Sequence, residues 1–67
     1  MNIQEVLHLL VGFQYPAKER GGTVVIEMDP RTEANKITRA EVHAALQYRV
    51  DRDNIRQIDP WTIMIVF

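Results

Sequence analysis

Four threonines are the only aliphatic hydroxyls in this chain, which has neither serine nor cysteine. None of them stands in a triad-like arrangement, so nucleophilic catalysis of that type has no obvious bearer. Two histidines, His8 and His43, would both be needed for a zinc site, together with carboxylates. Each falls opposite the apolar stripe of its segment and is expected to face solvent. Asp51, Asp53 and Asn54 open like a calcium loop, but Arg56 replaces the sharp-turn glycine and Thr62 the bidentate glutamate. They read better as the polar end of a helix. Gly21 and Gly22 precede a strand rather than a helix, and so are turn glycines, not a phosphate loop. The expectation is a protein without catalytic residues, metal or cofactor.

Two basic groups merit weight. Arg39, His43 and Gln47 recur at spacings of four, with Lys36 and Arg52 beyond the ends. Such a row could follow a phosphate backbone, and Gln47 could reach a base edge. Glu41, Asp51 and Asp53 oppose that field, and eight basic against nine acidic residues give a net charge of -1. Nucleic-acid binding by a helix around 38–52 is therefore the alternative, disfavoured reading. Lys18, Glu19 and Arg20 fall between proline and glycine punctuation, where they could meet an acidic partner surface or keep a loop soluble.

The elements that would carry these residues follow from capping and periodicity. Asn2 with Glu5 is close to a capping box, and Ile3, Val6, Leu7 and Leu10 form one helical face. Gly12 is the expected C-cap. Tyr15 to Gly22 reads as an exposed loop. Thr23 to Met28 is a strand, with Val24, Ile26 and Met28 on one face and Thr23, Val25 and Glu27 on the other. Asp29-Pro30 turns the chain into a polar connection over 31–36. Thr38 with Glu41 caps a second helix whose stripe is Val42, Ala45, Leu46 and Val50, ending near Asp53-Asn54. A short strand over 55–58 and an Asp59-Pro60 turn lead to a last strand, Trp61 to Phe67. The two capping boxes and the two Asp-Pro-x-Thr stretches echo one another. That echo is read as shared local grammar, and it supports an α-β-α-β order.

A chain of 67 residues holds one domain, 1–67, with a marginal core. Lack of cysteine removes disulfides and fits a reducing, cytoplasmic setting. No apolar run approaches the length of a membrane span, and Val6 to Val11 is too short and wrongly flanked for a leader. The fold class expected is α+β, with two helices packed on a small sheet that is open to continuation across a homodimer.

The last strand carries the functional expectation. Trp61, Ile63, Ile65 and Phe67 alternate with Thr62, Met64 and Val66, so both faces are apolar. A half-solvated strand would show a polar second face. Trp61, Ile63, Met64, Ile65, Val66 and Phe67 are therefore the expected contacts with a second copy or a partner's strand. The resulting reading is a small adaptor, inhibitor or regulatory subunit acting through protein contacts.

Overall fold

The computed structural model describes residues 1–67 and has the expected α+β architecture, with one strand more than the three the sequence pattern suggests. In chain order the elements are α1 (Ile3–Gly12), β1 (Ala17–Arg20), β2 (Thr23–Glu27), α2 (Arg39–Ala45), β3 (Ile55–Asp59) and β4 (Thr62–Ile65), with 3-10 turns at Glu33–Asn35 and Arg52–Asn54. The sheet is antiparallel throughout, in the order β1-β2-β4-β3. Exchanging β1 with β3 and β2 with β4 leaves that order unchanged. The chain is thus two αββ halves about a pseudo-two-fold axis that passes between β2 and β4. The two Asp-Pro turns do not correspond under this exchange. Asp29-Pro30 follows β2, whereas Asp59-Pro60 joins β3 to β4.

Both helices begin as their sequences dictate. The Asn2 side chain accepts from the Glu5 N–H while Glu5 reaches back to the Asn2 N–H, and Thr38 and Glu41 repeat the reciprocal pair. Both helices also end alike, and not as expected. Gly12 is the last helical residue of α1, and the left-handed position falls on Gln14 at φ 67°. Gln14 N–H donates to the Val11 carbonyl and Tyr15 N–H to that of Leu10. In α2 the same pair of bonds runs from Gln47 (φ 60°) to Ala44 and from Tyr48 to His43. Each is a Schellman motif with glutamine where glycine is usual. Tyr48 is left-handed too, at φ 58°. The second helix therefore stops at Ala45, short of the Asp53-Asn54 end expected from its stripe. Leu46 and Val50 still join the core, but from a turn rather than from helical positions.

The tyrosine after each motif packs differently. The Tyr48 ring meets His43 edge-on at 4.9 Å between centroids, the side-chain contact that commonly closes a Schellman motif. The Tyr15 hydroxyl donates to Glu41 Oε2 at 2.9 Å, so one carboxylate both caps α2 and ties it to the end of α1. Burial, helped by Glu41, pushes the Tyr15 hydroxyl up to about 12.

The segment expected to be a loop contains β1. Ala17–Arg20 pairs residue for residue with β2, and Gly21 and Gly22, at φ 57° and 81°, make the two-residue turn between them. Positive φ at both central positions is what a type I′ hairpin turn needs, and glycine supplies it without strain. A single core lies between helices and sheet. Val6 and Leu10 of α1, Val42 and Leu46 around α2, and Val24, Ile26, Ile55, Ile63 and Ile65 of the sheet are all 0% exposed. The sheet contributes only one parity of each strand, so both helices cover the same face. Gln57 fastens α2 to the edge strand β3. Its amide oxygen accepts from the Arg39 N–H at 3.0 Å, and its nitrogen donates to the carbonyls of Ile37 and Asp59.

Two outcomes follow. Gln14→Gly and Gln47→Gly should each stabilise by about 0.5 kcal/mol, since relief of left-handed strain exceeds the added chain entropy. Urea titration should show a higher midpoint at unchanged slope. For Tyr15, a raised folded-state value means that its contribution is intact below pH 10.0 and is lost as pH rises towards about 12. Stability measured over that window should fall less steeply in Tyr15→Phe.

Candidate protein interface

Strand β4 is not an edge. Its residues pair with β2 on one side (Val24↔Ile65, Val25↔Met64, Ile26↔Ile63, Glu27↔Thr62) and with β3 on the other (Ile55↔Ile65, Arg56↔Met64, Gln57↔Ile63). Within one chain, then, its backbone has no free edge between Thr62 and Ile65. Any sheet continued across a dimer would run on from β1 or β3. What β4 offers a partner is a face. Ile63 and Ile65 are 0% exposed beneath the helices, whereas Met64 and Val66 are half-buried on the opposite side.

That opposite side carries no helix. Cross-strand pairing places Lys18, Val25, Met64 and Arg56 in one row running straight across all four strands. The pseudo-two-fold axis maps the row onto itself, with a cation at each end and an apolar pair between. At about 4.8 Å per strand step the two cationic backbones stand about 14 Å apart. Val25 is only 6% exposed although no helix lies on it. Its cross-strand neighbours on this face are Lys18 and Met64, and a lysine lays its stem over apolar surface while keeping its ammonium in water.

Beside the row, Glu27 is shared by two cations, at 3.1 Å from Arg20 and 3.6 Å from Lys18. Arg56 makes no ion pair and no side-chain hydrogen bond. Asp59, at the hairpin end of this face, is turned onto the Trp61 N–H at 2.8 Å.

The other candidate contacts lie elsewhere. Trp61 is half-buried, with its indole N–H donating to the Thr32 carbonyl and Lys36 Nζ 5.9 Å from its ring centroid. Phe67 is 50% exposed beyond the strand. Arg39 is exposed at the start of α2 and Arg52 lies in a 3-10 turn, while His43 is half-buried against Tyr48. Gln47 has left the helix, so the row with spacing of four ends at His43. Asp51 accepts from the Asp53 N–H, and no three of the histidines and carboxylates converge as a metal cage would require. His8 is exposed on α1 beside a shallow groove lined by Gln4, Leu7, Val11 and Arg49; the Glu5 and Arg49 side chains approach to 3.7 Å across it.

Sequence reasoning missed Lys18, Arg20, Val25 and Arg56 as parts of one surface. The signal available was the partly apolar second face of 23–27, facing the second face of 61–67. No helix here is long and apolar enough to cross a membrane. Comparison with known proteins yields no match, either to a protein-family model, to a curated protein or to a solved structure.

The two faces of β4 should respond differently to substitution. Ile65→Ala should cost about 2–5 kcal/mol, as large-to-small core changes do. Met64→Gln should stay within about 1 kcal/mol. Thermal unfolding of the two variants checks the contrast.

Proposed function

We propose that this protein is a non-enzymatic protein-interaction module, an adaptor, inhibitor or regulatory subunit, that meets its partner through the open face of its C-terminal strand. The observation that carries this reading is the Val25–Met64 pair, apolar and central on a sheet face that neither helix covers. Met64 is the accessible member of that pair, and apolar surface rimmed by polar side chains favours association where it is contiguous. Val66 extends the patch along the strand. Self-association is the homodimeric form of this proposal, and the free edges of β1 and β3 give a second copy a further route. A chain without cysteine suits a cytoplasmic module of this kind.

The lack of native cysteine makes a direct test simple. Met64→Cys gives a single thiol, to which a photo-crosslinker can be attached; Glu33→Cys places the same reagent on an exposed 3-10 turn. Irradiation in native extract should yield discrete protein adducts from position 64 and not from position 33. Adducts of twice 7.8 kDa would identify a second copy, and larger ones a foreign partner. Equal, diffuse labelling from both positions would refute the assignment of this face.

A further inference from the structure

Charge on the open face runs against the rest of the molecule. The face carries Lys18, Arg20 and Arg56 against Glu27 and the turn-bound Asp59, an excess of cations in a chain whose net charge is -1. Its donors also exceed its acceptors. A guanidinium has five N–H donors; Arg20 directs one nitrogen to Glu27, and Arg56 has no partner at all. We infer that the partner of this face is an acidic segment of another protein, presenting an apolar side chain with carboxylates on either side of it. The apolar group seats on Met64, beside the largely covered Val25, and the carboxylates reach Lys18 and Arg56 at the two ends of the row. This inference rests on the open face being the interaction surface.

A second copy fits the face less well. Laying two such faces together opposes Lys18, Arg20 and Arg56 with the same three cations, and like-charge juxtaposition works against association. Single-stranded nucleic acid fits less well too. No aromatic side chain stands on the open-face parity of the four strands, so the stacking that holds unpaired bases has no platform. Symmetry adds a geometric term. Because the row reads cation-apolar-apolar-cation from either end, it accepts a partner segment in either chain direction.

Methyl-labelled methionine supplies the readout, since Met1, Met28 and Met64 are the three methionines and only Met64 lies on this face. Three probes are titrated into the full chain: a synthetic peptide with leucine flanked on both sides by glutamates, the same peptide with lysines for glutamates, and a single-stranded oligothymidylate. The acidic peptide should move the Met64 resonance and leave Met1 and Met28 in place, with binding that weakens about tenfold in Arg56→Glu and at high salt. Arg31→Glu, a charge reversal on the connection after β2, should leave the affinity unchanged. A Met64 response equal for both peptides, or one to the oligothymidylate alone, overturns the inference. So does a Met64 shift that depends on protein concentration without any probe, which identifies a second copy. No response to any probe also overturns it. In each case crosslinks specific to position 64 would show that the interaction reading itself survives.

Discussion

The antiparallel pairing of β2 with β4 holds this molecule together. It is the only strand contact between the two αββ halves, and it sets Val24 beside Ile65 and Ile26 beside Ile63 in the floor of the core. A two-stranded hairpin with one helix cannot bury a core of its own at this size. Joined across β2 and β4, the two hairpins become a four-stranded sheet long enough to seat both helices. The same register decides what is left over. With one parity committed to the helices, Val25 and Met64 must meet on the other side, where neither helix covers them.

The halves are alike in their local rules and unlike in how they use them. Each helix opens with a reciprocal capping box and closes with a glutamine in left-handed backbone followed by a tyrosine. One tyrosine joins the helices through Glu41; the other stays within its own half and covers His43. Gln57 has no counterpart of this sort on β1, so α2 is fastened to its edge strand by side-chain hydrogen bonds and α1 by packing. The symmetry lies in backbone topology, and the differences lie in side chains that lock one half to the other.

Much of this was legible in the residues. Capping boxes are local and showed both helix starts; β-branched runs showed β2 and β4; glycine pairs and Asp-Pro steps showed the turns. The first edge strand was not legible, because Ala17–Arg20 has no apolar alternation and owes its extended form to pairing with β2. The end of α2 was hidden for a related reason. Leu46 and Val50 keep a helical spacing, yet they reach the core from a left-handed turn that glutamine and tyrosine do not announce. The doubly apolar last strand was read as needing cover on both faces. It has cover on one, and long cationic side chains beside a valine and a methionine on the other.

The order of the sheet also governs how the chain can fold. Within each half the strands are joined by tight turns, so both hairpins close over short loops on a fast timescale. Pairing Ile26 with Ile63 must instead bridge most of the chain, at an entropic cost that local structure cannot repay until both isoleucines are buried together. Closing that seam is the least local pairing in the sheet, and non-local pairing of this kind slows folding. Until that seam closes, the apolar edges of both central strands stand open to solvent and to other chains. The speed of this one step therefore sets how long the newly made protein is exposed to aggregation.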